Sequence, residues 1–155
     1  MGHYSLAVIT KEKMKDLREA QVHCDVVMAP YCEEADEPHI TKCDECDGSD
    51  EACEMCKGTG EYETCINDMG MWDWFQIGGR CCDISTPVQV ILDGLKENMI
   101  APFAILTPDG EWIDRWDLDT VNGLEPTKIE AWNKRCHEIF SQYKDCHVTT
   151  VDYHS

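Results

Sequence analysis

The sequence predicts an α+β fold of order βαββαβ, the ferredoxin-like sandwich, with two helices on one face of a four-stranded sheet. Three observations carry this reading. An apolar, β-branched run opens the chain at residues 3–10, and a helical stripe runs from Val88 to Met99. Pro108-Asp109-Gly110 then separates two short apolar segments as a hairpin turn would. A long interval between the first strand and the stripe belongs to neither pattern.

Taken in order, His3 to Thr10 (HYSLAVIT) reads as a mostly buried first strand. Residues 11–21 are charged, with Met14 and Leu17 on one side, and read as a short helix. Residues 30–70 break every period with prolines, glycines, acids and cysteines, and are expected to form an irregular insertion with no apolar core. Ser85-Thr86-Pro87 reads as an N-cap followed by proline at the first helical position. Val88, Ile91, Leu92, Leu95 and Met99 follow on one face, which Gly94 weakens without ending. Ala101 to Thr107 and Glu111 to Trp116 form the hairpin. Pro126 opens a second amphipathic helix, with Ile129, Trp132, Cys136, Ile139, Phe140 and Tyr143 on one stripe. His147 to Tyr153 alternates and β-branches as a last strand, expected to pair with the first near the sheet centre. At 155 residues the chain reads as a single domain, 1–155, with 30–70 inserted after the first strand.

Cysteine spacing explains how such an insertion could hold together. Cys43-Asp-Glu-Cys46 and Cys53-Glu-Met-Cys56 are two C-x-x-C pairs joined by a short loop, the spacing of a structural tetrathiolate zinc site. Each pair can turn both sulfurs inward, and Gly48 and Gly58, two residues after each pair, relieve the crowding around them. The insertion is therefore expected to be a zinc knuckle. Four thiolates close the coordination shell, so the metal is expected to hold structure and not to meet a substrate. Cys43–Asp50 and Cys53–Gly60 resemble the CxxCxGxG repeats of the DnaJ co-chaperone cysteine-rich region, with Asp50 in place of the last glycine of the first copy. That resemblance implies the metal site and its turns, and no chaperone activity. Rubredoxin-type iron sites place glycine directly after each pair, where this chain has Asp47 and Lys57, so iron is the second choice of metal.

Composition narrows the class of partner. The net charge is −18, and residues 33–63 hold twelve acids against Lys42 and Lys57. Such a surface repels nucleic acid directly and attracts basic protein faces. No run approaches a membrane span, and the N-terminal residues fit neither a secretion signal nor a myristoylation pattern. An odd count of eleven cysteines without a signal fits zinc thiolates in a reducing cytoplasm better than a disulfide scaffold.

Further motifs span most of the chain. They are His3-Tyr-Ser-Leu-Ala-Val-Ile9, Trp72-Asp-Trp74-Phe-Gln-Ile-Gly78-Gly79-Arg80, Phe103-Ala-Ile-Leu-Thr-Pro-Asp-Gly-Glu-Trp112 and Val151-Asp152-Tyr-His154. Together they resemble a group of small proteins of bacteriophages and mobile elements that carry WDWYxIGGRW, TPDGxW and VDCHI-like segments. The chain departs from that pattern at Cys81, where the group has tryptophan, and at Tyr153, where cysteine is usual. The resemblance implies a source and no chemistry.

Two stretches could carry chemistry. Gly78 and Gly79 could aim backbone N–H groups at an anion, with Arg80 adding a bidentate charge and Trp72 and Trp74 stacking on a base. Asp152 and His154, at i and i+2 of the last strand, could act as an acid–base pair. The ordinary readings of both are a turn, strand packing and a terminal strand. The expected function is thus a small acidic zinc protein that binds a macromolecular partner, for instance a phage-encoded inhibitor of a host nucleic-acid-handling or defence enzyme. The rival is a nucleotide- or phosphate-binding protein or enzyme using Trp72–Arg80 with Asp152 and His154.

Overall fold

The computed structural model describes residues 2–46, 48–78, 84–118 and 126–155. Their strands are β1 (His3–Thr10), β2 (Glu34–Lys42), β3 (Glu61–Ile66), β4 (Trp74–Ile77), β5 (Thr86–Pro87), β6 (Ala104–Leu106), β7 (Trp112–Asp114) and β8 (His147–His154). The α-helices are α1 (Leu17–Met28), α2 (Val88–Lys96) and α3 (Pro126–Ser141). The chain divides into two compact units, one of Met1–Ala29 with Trp74–Ser155 and one of Pro30–Asp73. No helix among the described residues is long and apolar enough to cross a membrane.

The first unit is a mixed sheet of order β4-β8-β1-β6-β7, with β5 also pairing with β8. β1 and β8 pair antiparallel over their whole length, from His3–His154 to Thr10–His147. On the other side of β1, β6 runs parallel, with Ala7 opposite Ile105. The mixed α+β class of the sequence reading stands, but the strand order is not that of a ferredoxin-like sandwich. That fold would insert the second hairpin strand between β1 and the first. Here the first hairpin strand abuts β1 and β7 takes the outside. Burial follows the strand order. Ala104, Ile105 and Leu106 are all buried, as an interior strand needs, whereas β7 begins at half-exposed Trp112 after exposed Glu111.

Alternation along the strands builds two apolar faces. Ala7, Ile9, Ile105, Ile113 and Val148 form one core with Val88 and Leu92 of α2 and Trp132, Cys136, Ile139 and Phe140 of α3. These two helices share a sheet face, and the Trp132 indole N–H donates to the Pro102 carbonyl at 2.8 Å. Leu6, Val8, Leu106 and Val151 are buried on the opposite face. α1 covers that side through Ala20, Cys24 and Met28, and its His23 and Val27 line one shallow cavity with Val8 and Thr10.

Local chemistry moves several boundaries. α1 starts at Leu17, not at residue 11, because Asp16 caps it: its carboxylate accepts from the Glu19 N–H at 2.8 Å, and Glu19 accepts from Lys15. Leu17 is consequently 56% exposed instead of facing the core, while Met14 is buried ahead of the helix. Ser85 does not cap α2. Its hydroxyl accepts from the Met14 N–H, and the first helical N–H, that of Val88, donates to the Cys146 carbonyl. Met99 falls past the helix end, after Asn98 takes a φ of 64°. α3 opens at Pro126 as expected, and Gly110 (φ 87°) closes the hairpin turn with its N–H on the Thr107 carbonyl.

Candidate metal centre

The second unit is ordered by strands as well as by cysteines, which corrects the expectation of an irregular insertion. β2 and β3 form an antiparallel ribbon in which His39 pairs with Thr64, Ile40 with Glu63, Thr41 with Tyr62 and Lys42 with Glu61. His39, Thr41, Tyr62 and Thr64 make its half-buried side, and Ile40, Lys42, Glu61 and Glu63 its exposed side. Pro38 is tolerated because the pairing is irregular between Glu34 and His39, so no ladder N–H is required there. At the base of the unit, the Glu33 N–H donates to the Trp72 carbonyl and the Asn67 side chain ties the Pro30 and Cys32 carbonyls.

The end of the ribbon carries the cysteines. The Cys43 N–H donates to the Gly60 carbonyl at 2.8 Å, which closes the ribbon immediately before the loops diverge. In the first loop the Cys46 carbonyl accepts from the Ser49 N–H; in the second the Cys56 carbonyl accepts from the Thr59 N–H and hydroxyl. Gly48 and Gly58 have φ of 77° and 79°, a left-handed conformation that glycine adopts without strain. A Cβ on Gly58 would stand 2.8 Å from the Glu51 carbonyl oxygen, so that position also needs the missing side chain for space.

These turns bring all four sulfurs together, within 4.8 Å of one another. Cys43 and Cys53 are 3.8 Å apart, Cys43 and Cys46 3.8 Å, and Cys46 and Cys56 3.4 Å. A tetrahedron with metal–sulfur bonds of about 2.3 Å has sulfur–sulfur edges of roughly 3.8 Å. The cluster therefore has the size that a tetrathiolate metal site requires. Cys43 and Cys56 are buried and Cys46 and Cys53 half-buried, so the sulfurs are screened from water by their own turns.

Proton affinities within the cluster are split. Burial pushes the Cys43 thiol up to about 12, and burial likewise raises Cys46. Burial also works against ionising Cys56, but hydrogen bonds from the Gly60 N–H and the neighbouring thiols outweigh it and bring that group down to about 6. One sulfur is thus ready to be a thiolate at neutral pH, the form a metal binds. Cys24 and Cys136 lie outside the cluster. Burial pushes each up to about 12, in apolar surroundings on α1 and α3, as for inert core thiols.

Of the residues of the other sequence-predicted site, Trp72, Trp74 and Gly78 are among those described. Trp72 belongs to the second unit, where its backbone bridges to Cys32, whereas Trp74 begins β4 in the first. Gly78 has the left-handed φ of 74°, but its N–H donates to the Thr150 carbonyl at 2.8 Å and so serves the sheet. Gly79 and Arg80 lie outside the described residues. Asp152 and His154 do share a face of β8, and they acquire a neighbour that sequence reasoning did not assign a role. His3 sits directly opposite His154, and its Nδ1 is 3.2 Å from Asp152 Oδ1. The expected pairing of first and last strands was the signal that could have placed His3 there.

Comparison with protein-family models, with curated proteins and with solved structures finds no match.

Proposed function

We propose that this chain is a zinc-stabilised acidic module that acts by binding a basic surface of another protein. The supporting observation is the position of the closed four-sulfur cluster at the end of an acid-rich ribbon. Four protein ligands leave a zinc ion no open position, so its role is to fix the shape of the loops that carry Asp44, Glu45, Asp50, Glu51 and Glu54. The exposed side of the ribbon adds Glu61 and Glu63 around Ile40, which is 63% exposed. An apolar contact flanked by Glu61 and Glu63, with Lys42 on the same side paired to Glu61, suits a partner whose basic groove surrounds an apolar spot.

The bacteriophage resemblance directs the proposal to a host protein. The partner would be a nucleic-acid-handling or defence enzyme in the cytoplasm, blocked where its basic groove normally takes DNA or RNA. The module itself avoids nucleic acid, which its charge repels. Iron in the same four-sulfur site is the alternative metal.

Capture from host lysate with the native chain, a chelator-treated chain and a Glu61→Lys/Glu63→Lys chain tests the reading. The expected result is a nucleic-acid-handling protein retained by the native chain only and released by raised salt, since exposed charges are screened within about 8 Å at physiological ionic strength. Retention that ignores chelation, salt and charge reversal overturns it. Elemental analysis of the purified protein should give one zinc per chain, and a red-brown chromophore would assign iron instead.

A further inference from the structure

A cross-strand row in the sheet of the first unit holds a second candidate metal site, independent of the cysteine cluster and of the proposed partner. β1 and β8 place His3 directly opposite His154, and β4 places Trp74 on the other side of His154. Directly opposed residues share a face, so the three side chains stand in one line across the sheet. Backbone bonding brings the two histidines closer still. Gly2 and Ser155 exchange both N–H···O bonds, at 3.2 and 3.4 Å. The next pair, His3 and His154, is therefore of the non-hydrogen-bonded kind, in which side chains approach most closely. Their ring centroids are 5.5 Å apart.

Two imidazoles that share one tetrahedral metal ion, at about 2.0–2.1 Å from each nitrogen, have centroids roughly 5 Å apart. A small side-chain rotation brings the observed pair to that separation. Asp152 fixes the orientation of one ring, since His3 Nδ1 lies 3.2 Å from Asp152 Oδ1. A carboxylate can only accept, so Nδ1 carries the proton, and Nε2 of the neutral ring keeps a lone pair for a metal. A carboxylate on the far nitrogen is also the usual support of a metal-binding histidine. The Asp152 side chain is 13% exposed and that of His3 41%, so the support is shielded while the ligand is reachable. Trp74 packs edge-on against His3, with ring centroids at 5.9 Å.

We propose that His3 Nε2 and the His154 imidazole bind a divalent late transition-metal ion, with Asp152 as the positioning residue behind His3. Imidazole pairs suit nickel, copper and zinc, and not the hard magnesium or calcium ions, which take oxygen ligands. Two protein ligands leave the remaining positions to water, unlike the four sulfurs of the cluster. This ion is therefore open to solvent and more weakly held, and its site fills after the cysteines have taken theirs.

The test adds Ni²⁺ to isotopically labelled protein whose cysteines are already held by zinc, and follows amide broadening and thermal unfolding. Paramagnetic broadening should centre on His3, His154 and Trp74. The melting temperature should rise with Ni²⁺ and not with Mg²⁺, since an ion that binds only the native chain stabilises it by mass action. His3→Asn and His154→Asn should each abolish both effects. Asp152→Ala should weaken binding about 10–100-fold, the usual cost of losing such a support. Asp152→Asn, whose amide oxygen still accepts from Nδ1, should recover part of that loss. Broadening centred on the cysteine loops or on another histidine, no broadening, an equal response to Mg²⁺, or Ni²⁺ binding unchanged in His154→Asn each overturn the proposal. Native affinity in Asp152→Ala overturns the part assigned to Asp152. The broadening in the native protein decides the matter even if a variant fails to fold.

Discussion

Gly60 meets Gly48 so closely that a Cβ on Gly60 would stand 3.0 Å from the Gly48 Cα. The two loops of the cysteine cluster touch there through backbone alone. Gly60 also takes a φ of 79°, in the region that costs a side-chain-bearing residue about 1–2 kcal/mol. Gly60→Ala should therefore loosen the metal site by separating the loops as well as by strain. Gly110→Ala is the control, because Gly110 shares the left-handed φ but has nothing within 4 Å of its added Cβ. Competition with a chromophoric chelator should show weaker metal binding for Gly60→Ala and unchanged binding for Gly110→Ala. Equal affinities for the two would show that the Gly48 contact has no role.

Removing the metal should disorder one unit and spare the other. Residues 30–73 hold their loops through the cysteines and a two-stranded ribbon, which alone is marginally stable in water. The first unit has its own core around Phe140, Trp132 and Ile105. Hydrogen exchange after chelation should rise across residues 40–65 and stay slow in β1, β8 and α3. Exchange that rises throughout the chain would show that the cluster stabilises both units.

Which features the sequence made legible follows from the range of the interactions that create them. The stripes of α2 and α3, the proline opening α3 and the Pro-Asp-Gly turn depend on neighbours within one or two turns, and they stand in the structure except at their ends, where Met99 falls past α2 and Ile129 in the first turn of α3 is exposed. The cysteine cluster was legible for the same reason, since ligand spacing and glycine placement are local. The β2–β3 ribbon was hidden by its acids and Pro38, although half-buried His39 and Thr41 pair with Thr64 and Tyr62 at period two. Asp16 and Glu19 mark the start of α1 by a local cap, whereas Met14 fits the apolar spacing of the helix but is buried ahead of it. Strand order was not legible. Whether Ala104–Leu106 or Trp112–Asp114 lies beside β1 depends on pairing over about a hundred residues, which no local pattern records.

The core of the first unit should respond to truncation as a close-packed interior does. Phe140 is fully buried among Val88, Leu92, Ile105 and Trp132, so Phe140→Ala should cost about 3–5 kcal/mol in denaturant unfolding. Trp132→Phe should cost less on packing, but it removes the donor to the Pro102 carbonyl and adds about 1 kcal/mol or more for that loss. Neither variant should alter metal affinity, because the cysteines belong to the other unit. A change in metal binding with either would show coupling between the units.

Thiol titration of the reduced, metal-free protein gives the last prediction. Cys56, lowered from 9.0 to about 6, should ionise first among the cluster cysteines, while Cys43, raised to about 12, should remain a thiol well into alkali. The signs for stability follow. A group whose folded value is depressed contributes stability above its ordinary value, and that contribution is lost as pH falls through about 6. Cys43 is the reverse: its contribution is complete below its ordinary value and is lost as pH rises toward 12. Ultraviolet thiolate absorbance should therefore show one early step that Cys56→Ser removes and Cys24→Ser does not. Metal binding should displace protons from the other cluster cysteines at neutral pH, since all four must be thiolates to ligate, and acid should reverse it. A single step at the ordinary thiol value, unchanged by Cys56→Ser, would show that the hydrogen bonds from Gly60 and the neighbouring thiols do not hold that sulfur in the metal-free chain.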